Sequence, residues 1–501
     1  MKNFDPYKRT ILFFASMINV CMMTALFSYS WYHFYADMMY TYRFYRRGNY
    51  VVLALYAVLL FFFSNMYGSL KIGRFRRIEV LLSQYLSLFL TNVVMYVVIS
   101  LLAFRFVTPF YLFVVLLAEM LVSTIWNVIV IKLYNRIFQP WKILLVYGER
   151  PAADLVYKVE ARRDKYAIYD AVNINEGMEQ IKSDVMDKVM SQMHSYDYEK
   201  YTAKDVKTSL RSTAGISPMI TAVERNDVLK YCYAKKVRAY VIPKISDIIL
   251  MGADRIHVFD TPFMLSRGYT LSFDQRFGKR TLDIILSVLL LIAASPFMLL
   301  TALAIKLYDH GPVFYSQVRC TKGGKEFAIY KFRSMIVDAE KKGGVQLAKE
   351  HDERITPVGR VIRAARIDEL PQLFNILKGD MSFVGPRPER PELIEEYSQE
   401  MPEFVFRMRV KAGLTGYAQV YGKYNTTPYD KLKLDLFYIE NYSFWTDMKL
   451  ILMTVKTIFK PASTEGIEQE QTNALKEQVD TTDVEEIVKE INQIAKKEED
   501  K

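Results

Sequence analysis

Four apolar runs in the first third of the chain constrain its fold more than any other feature: about Thr10–Trp31, Tyr50–Leu70, Val80–Ala103 and Val107–Tyr134. Each is close to the ~20 residues that carry a helix across a bilayer. Lys2, Lys8 and Arg9 precede the first run as they would a signal peptide, but no small-residue cleavage site follows. The run leads instead into an aromatic stretch, Trp31 to Tyr45, of the kind that lies at a membrane interface, so it reads as a retained anchor.

Basic residues orient these helices. Lys2, Lys8, Arg9, Lys71, Arg74, Arg76, Arg77, Lys132, Arg136 and Lys142 fall on one side, against Arg43, Arg46, Arg47 and Arg105 on the other. The richer side is expected to be cytoplasmic, which places the N-terminus and everything after the fourth helix there. The spans are read as free of ionisable clusters, so nothing marks a transport pathway. Residues 1–140 are therefore expected to serve as a multi-pass anchor in the cytoplasmic membrane, and as a possible homodimer contact.

A chain of 501 residues has room for two or three domains. Its net charge of +11 could mean nucleic acid, but the basic residues flank apolar runs and point to an anionic lipid surface instead. No nucleic-acid partner is expected. Cys21, Cys232 and Cys320 are too scattered for a disulfide framework or a zinc site, which suits a reducing compartment.

From 141 to 270 short apolar segments alternate with helical stretches. Ile143–Tyr147, Tyr166–Val172, Arg238–Ile242 and Ile256–Phe259 read as buried strands, with helices over Ala152–Ala161 and Val228–Ala234. That alternation predicts a Rossmann-like α/β unit with a parallel sheet. Gly148-Glu149-Arg150-Pro151 follows the first strand where a dinucleotide site would carry several glycines, so the unit is expected to have lost its ligand.

A fifth apolar run, 281–307, opens after Lys279-Arg280, is interrupted at Ser295-Pro296 and closes near Lys306. It is long enough to span, yet proline removes a backbone bond and kinks a helix. With cations at both ends it reads as a re-entrant helix that leaves by the face it enters; a plain fifth span is the alternative.

The chemistry-bearing residues follow. Lys331 and Arg333 project from one face of an extended strand, so placed that two cations could grip a diphosphate, while Gly323-Gly324 before them leaves room for backbone approach and the flanking Arg319 and Lys325 are expected to bind substrate as well. Arg366-Ile367-Asp368-Glu369-Leu370-Pro371-Gln372 sets two carboxylates just ahead of a helix. Pro371 suits its first turn, Leu370, Leu373, Ile376 and Leu377 carry its periodicity, and Gly379 closes it. Neighbours one apart on a helix diverge, so Asp368 and Glu369 are expected to do separate jobs. Prolines on either side stiffen the backbone that presents Arg387, and Gly413-Leu414-Thr415-Gly416 adds another glycine-rich turn.

Residues 275–459 resemble the bacterial sugar transferase family, the polyprenyl-phosphate hexose-1-phosphate transferases. The likeness rests on the ordered motifs: the basic pair with its Ser-Pro-broken helix, Lys331-Phe332-Arg333-Ser334-Met335, Asp368-Glu369-Leu370-Pro371-Gln372, Gly385-Pro386-Arg387-Pro388 and Gly413-Leu414-Thr415-Gly416. Thr321 stands where the family usually has glycine, Ser334 where threonine is common and Ala412 where proline is common. The resemblance implies that Asp368 attacks the β-phosphorus of a UDP-sugar, expelling UMP, and that undecaprenyl phosphate then takes the phosphosugar. It further implies Mg²⁺ held through Glu369, with Lys331, Arg333 and Arg387 on the phosphates. A non-catalytic membrane scaffold or nucleotide sensor is the alternative.

The whole therefore reads as an α+β membrane protein: four transmembrane helices, a Rossmann-like middle domain, and a mixed α/β catalytic domain over 271–461 containing the re-entrant helix. An acidic tail, 462–501, carries a short amphipathic helix announced by a Thr482–Glu485 capping box.

Overall fold

The computed structural model describes residues 7–38, 47–72, 75, 77–138, 140–147, 165–173, 212–216, 222–234, 238–258, 261–266, 268, 271–337, 354–422 and 426–458. The tail helix, the Ala152–Ala161 helix and Gly148-Glu149-Arg150-Pro151 lie outside them. The chain divides into two compact units, Met1–Ile242 with Gln478–Lys501, and Pro243–Glu477. The second begins upstream of the boundary read at 271.

In the first unit α1 (Lys8–Ser30), α2 (Gly48–Tyr67), α3 (Arg77–Leu102) and α4 (Phe110–Ile137) match the four apolar runs within a few residues. Each is long and apolar enough to cross a membrane. Phe13, Val58, Val97 and Leu121 face outward, while Met23, Phe27, Tyr56 and Met95 fill the interior. The Phe27 and Tyr56 rings stack at 4.2 Å. Along α3, Ser83, Ser87 and Thr91 each return a hydroxyl to the carbonyl four residues back, so small, self-satisfied side chains let neighbouring helices approach.

Two features of this region go beyond the sequence reading. Trp31 and Tyr35 are fully buried: Trp31 Nε1 donates to Asn49 Oδ1 at 2.9 Å and the Tyr35 hydroxyl to the Thr108 carbonyl at 2.9 Å. These rings close one end of the bundle, while Tyr32 of the same stretch is exposed. The second is a lone ionisable group inside a span, which is no cluster. Glu119, in the middle of α4, is fully buried, with Oε1 accepting from the Tyr56 hydroxyl at 2.6 Å and Oε2 from Asn92 Nδ2 at 2.7 Å. A carboxyl whose two oxygens are both taken by α2 and α3 clasps the bundle; it is not an open pathway.

After α4, β1 (Trp141–Tyr147), β2 (Tyr166–Asn173), β3 (Ser212–Ile216) and β4 (Arg238–Val241) form an all-parallel sheet in the order β2-β1-β3-β4. α5 (Ala222–Ala234) precedes β4 and buries Val228 and Cys232. β3, a Ser-Thr-Ala-Gly-Ile segment, lacks the apolar run that would announce it.

The second unit opens with α6 (Ile245–Met251), then β5 (Asp254–Val258) and β6 (Thr261–Leu265). Of the segment read as a fourth parallel strand, Ile256–Phe259, the described residues 256–258 belong instead to this antiparallel hairpin. α7 (Phe273–Asp309) follows as one continuous helix of 37 residues running through Pro296. The expected break at Ser295-Pro296 is mended locally. Pro296 lacks the N–H that would bond the Ile292 carbonyl, and the Ser295 hydroxyl donates to that carbonyl at 2.8 Å.

β7 (Phe314–Cys320) and β8 (Glu326–Phe332) pair antiparallel. α8 (Pro357–Ala364), α9 (Gln372–Lys378), β9 (Ser382–Val384) and α10 (Pro391–Glu400) come next. β10 (Gly413–Thr415), which pairs parallel with β9, then leads into α11 (Tyr417–Tyr421), α12 (Pro428–Glu440) and α13 (Phe444–Ile458). The unit is mostly helical, its strands gathered in two-stranded ribbons. Gly385, Gly413 and Gly416 are where two backbones touch. A Cβ on Gly413 would fall 2.1 Å from the Gly385 nitrogen, and one on Gly416 would fall 2.1 Å from the Gly385 oxygen. These motif glycines serve close packing of β9 against β10.

Candidate active site

Thr356 caps α8, its Oγ1 accepting from the Gly359 amide at 2.9 Å, and Pro357 fills the first helical position. The helix ends at Arg366, whose φ of 57° is a left-handed conformation that bulky residues rarely adopt. That reversal throws the chain into a single tight turn, Ile367–Glu369, which carries both carboxylates. Pro371 then caps α9, and Gly379, at φ 93°, closes it as its sequence position predicted.

α9 is held against β8 by one buried side chain. Asn375 Oδ1 accepts from the Tyr330 amide at 3.0 Å and its Nδ2 donates to the Ala328 carbonyl at 2.8 Å. The amide thus pairs with the strand edge as another strand would. This docking sets the Ile367–Glu369 turn beside the next residue of β8, Lys331.

Glu369 collects cations. Its Oε1 lies 3.1 Å from Arg387 NH2, 3.6 Å from Lys331 Nζ and 3.9 Å from Arg366 NH1. Burial alone would raise its pKa, but Arg387, Lys331 and Arg366 outweigh it and hold the group at about 2. Asp368 has the opposite environment. Burial, and then the negative charge of Glu369, raise it above the ordinary carboxylate range, against the pull of Lys331, Arg363 and Arg366. Its Oδ1 is buried with no hydrogen-bond partner. The adjacent carboxylates are therefore distinct: one a saturated charge hub, the other a carboxylate with a free oxygen.

The structure brings Asp368, Glu369, Lys331 and Arg387 together, with Arg319 near enough to depress Lys331 alongside the larger effect of burial. Arg319 is anchored by Gln317 Oε1 at 2.7 Å, the Pro388 carbonyl at 3.3 Å and Glu389 at 3.8 Å. Arg333 is not brought to Glu369. It lies beyond the end of β8 and is captured by Asp309 at the end of α7, with its guanidinium close against Gly311. Lys325 is exposed at the far end of the β7–β8 hairpin, and Gly323 and Gly324 take φ of 71° and 76° there with open space around them. Those glycines shape the hairpin turn, at the opposite end of β8 from Lys331.

Sequence reasoning named Arg366 as the start of the motif without giving it a charge role, missed Arg363 although the basic spacing on α8 was visible, and missed the support beneath Arg387. Arg407, 4% exposed, donates from NH2 to the Arg387 carbonyl at 3.1 Å and pairs with Asp435 at 2.8 Å and Glu389 at 3.4 Å. Burial pushes Asp435 up to about 6 even against that guanidinium.

Residues 274–461 match the family model described as bacterial sugar transferase. The UDP-N-acetylgalactosamine-undecaprenyl-phosphate N-acetylgalactosaminephosphotransferase of Aeromonas hydrophila is 45% identical over 185 residues, 36% of this chain and 44% of the relative. The UDP-glucose:undecaprenyl-phosphate glucose-1-phosphate transferase of Caulobacter vibrioides is 43% identical over 185 residues, 36% of this chain and 69% of the relative. An uncharacterized sugar transferase of Bacillus subtilis is 39% identical over 191 residues, 38% of this chain and 90% of the relative. The chain thus spans less than half of the Aeromonas protein but most of the other two. With every motif of the carboxylate site inside the matched segment, the chain belongs to the bacterial sugar transferase family.

Proposed function

We propose that the chain is a membrane phosphoglycosyl transferase, moving a sugar-1-phosphate from a UDP-sugar to undecaprenyl phosphate as the first membrane step of a polysaccharide pathway. The observation that carries this reading is the buried, unpartnered Oδ1 of Asp368 beside a Glu369 whose charge is already met by three cations. The relatives carry different sugars in their names, so the proposal extends to a hexose-1-phosphate and no further.

In this scheme Asp368 Oδ1 attacks the β-phosphorus, and the bond from that phosphorus to the bridging oxygen breaks. UMP leaves with that oxygen, and an aspartyl-phosphosugar forms. An oxygen of the lipid phosphate then attacks the same phosphorus and releases Asp368. The C–O bond of the sugar stays intact. Lys331 and Arg387, held in place by Glu369, face the incoming phosphates and offset the repulsion between an anionic nucleophile and a polyanion.

Mg²⁺ fits this site only with help from substrate. Among the described residues no group of three His, Cys, Asp or Glu side chains converges, and Glu369 Oε1 is committed to cations. The rest of the Glu369 carboxylate would supply the protein ligand, leaving Asp368 Oδ1 free to attack, with phosphates and water completing the shell as is usual for this ion. When bound, it would neutralise charge developing on the diphosphate.

The re-entrant reading of α7 draws support from its two anchored ends. Lys279, Asp283 and Ser287 are buried before the apolar apex, and Thr301 and Ile305 after it; Ile305 packs with Phe332 of β8 and Ile362 of α8. Only residues 288–300 lie between, with Leu289, Ile292, Leu299 and Leu300 exposed. At about 1.5 Å per residue that stretch falls short of the roughly 30 Å of hydrocarbon a span must cross. Both anchors belong to the same unit and so share one face of the membrane, which this reading takes as cytoplasmic from the basic bias of the first four helices' loops.

The test is chemical trapping. Enzyme given a UDP-sugar without lipid acceptor, digested and analysed by mass spectrometry, should carry a phosphosugar on Asp368, and Asp368→Asn should carry none. Turnover that needs both substrates bound together, with no adduct, would replace this scheme with direct attack by the lipid phosphate.

A further inference from the structure

Lys279 and Arg280 read in the sequence as cations at the mouth of a membrane helix, but in the structure they turn inward. Lys279 is 8% exposed, and its Nζ donates to Asp447 Oδ2 at 2.6 Å and to the Tyr438 hydroxyl at 3.0 Å. The Tyr438 hydroxyl reaches the Val384 carbonyl of β9 at 3.3 Å. Arg280 donates to the Ile376 and Leu377 carbonyls, both at 2.6 Å, and so satisfies the end of α9. One turn on, Asp283 is 4% exposed. Its Oδ1 accepts the Phe383 amide at 2.8 Å and the Ser382 hydroxyl at 3.0 Å.

The Asp283 contact falls on a particular strand edge. Among the described residues β9 is paired with β10 alone, Ser382 beside Gly413 and Val384 beside Thr415 in parallel register, with Ser382 N donating to the Ala412 carbonyl. The Phe383 amide, alternating with these, points to the opposite edge, where no strand lies among the described residues. Asp283 supplies the acceptor that a third strand would have supplied, and a buried amide left without one is costly. β9 then runs straight into Gly385-Pro386-Arg387-Pro388. The prolines stiffen this segment, and Gly413 N pins the Pro386 carbonyl at 2.9 Å. The first turns of α7 thus hold both parts of the site: α9, which follows the Asp368-Glu369 turn, and β9, which presents Arg387.

We infer that Asp283 is a positioning residue, which fixes the phosphate-facing Arg387 to the membrane helix through the Phe383 amide and so sets the Arg387–Glu369 contact from where α7 sits. The inference rests on the transferase reading for its kinetic consequences but on geometry alone for its structural ones. Displacement of about 1 Å in such a group costs about 10²-fold in rate, whereas the acceptor function itself needs only an oxygen. Asparagine at 283 keeps that oxygen; alanine does not.

The experiment uses the full-length chain in lipid nanodiscs, with Asp283→Ala, Asp283→Asn, Arg387→Ala and the Asp283→Ala/Arg387→Ala pair, assayed by UMP release. Asp283→Ala should lower kcat by about 10²-fold, Asp283→Asn should restore most of it, and Asp283→Ala should add little in the Arg387→Ala background. Effects that multiply in full in the pair overturn the inference, as does an asparagine variant as damaged as the alanine one. Hydrogen exchange over 382–387 is read in parallel and needs no turnover. It should quicken in Asp283→Ala and stay near wild type in Asp283→Asn; unchanged exchange in the alanine variant also overturns the inference. If wild type releases no UMP from any UDP-sugar, the transferase reading fails, and the exchange measurement still decides the positioning. Should Asp283→Ala not fold, Ser382→Ala, which removes one of the two bonds to Asp283, takes its place in the cycle and in the exchange measurement.

Discussion

The Ala412 amide donates to the Thr321 hydroxyl at 3.1 Å, and that hydroxyl donates to the Asp380 carbonyl at 2.9 Å. These are two of the positions at which the chain departs from the family's usual residues, glycine and proline. Glycine has no hydroxyl to offer and proline no N–H to give, so the two departures form a single compensated change. They join the end of β7 to the segments leading into β9 and β10.

Thr321→Gly alone should therefore leave the buried Ala412 amide without a partner, at a cost of about 1–3 kcal/mol. Ala412→Pro alone removes the donor while Thr321 keeps its bond to Asp380. The double variant should be more stable than the two single losses predict, with a coupling of about 0.5–1 kcal/mol. Thermal unfolding of all four proteins measures it, and strict additivity would show that the two positions are independent.

The pH profile separates the two carboxylates. Glu369, at about 2, stays ionised throughout the working range, so the acid limb of kcat belongs to Asp368. Asp368 must be ionised to attack, and its folded-site pKa is raised, so activity should be lost as pH falls through a value above the ordinary aspartate range. The substitutions then move that limb in opposite directions. Glu369→Gln removes the negative charge that raises Asp368 and should shift the limb to lower pH; Lys331→Met removes a cation that lowers it and should shift the limb to higher pH. Shifts of the same sign in both variants would assign the limb to another group.

How much of this was legible in the sequence depended on the distance between partners. The turn carrying Asp368 and Glu369 was readable because Pro371 and Gly379 mark its helix locally. Lys331 and Arg333 share a face by strand parity, yet Arg333 is taken by Asp309 from 24 residues upstream, a partner that no periodicity announces. Lys279 was read from its apolar neighbour on one side, while its acceptor Asp447 lies 168 residues away. Glu119 stood in plain view as one acid in an apolar helix. What was invisible was the pair of donors, Tyr56 and Asn92, that make it tolerable there.

The boundary of the catalytic unit yields a further prediction. α6 packs on α12, with Gly252 close against Glu440, so a fragment beginning at 271 discards part of the unit's own packing. A fragment of residues 243–458 in nanodiscs should release UMP and unfold in one transition, whereas 271–458 should be markedly less stable. Equal stability of the two would mean that α6 contributes nothing to the fold.

The Ser295-Pro296 pair permits a last test, in which one residue mends what the other breaks. Pro296 leaves the Ile292 carbonyl without its helical donor, and the Ser295 hydroxyl fills that place at 2.8 Å. In lipid, where water cannot substitute, an unpaired carbonyl costs several kcal/mol. Ser295→Ala should therefore reduce the folded yield in membranes, and only while proline stands at 296. Pro296→Leu returns the missing N–H and removes the ring that bends the helix, so Ser295→Ala/Pro296→Leu should fold as well as wild type. Activity should nevertheless stay low in both leucine variants. A straightened helix tends to span, and spanning would draw Thr301 and Ile305 away from β8 and α8, against which the structure buries them. Folded yield, UMP release and accessibility of a cysteine placed in the 425–430 loop separate these effects, and that loop should be protected from impermeant reagents in intact cells expressing the wild type. A Pro296→Leu enzyme of full activity and unchanged accessibility would show that the proline has no part in the topology.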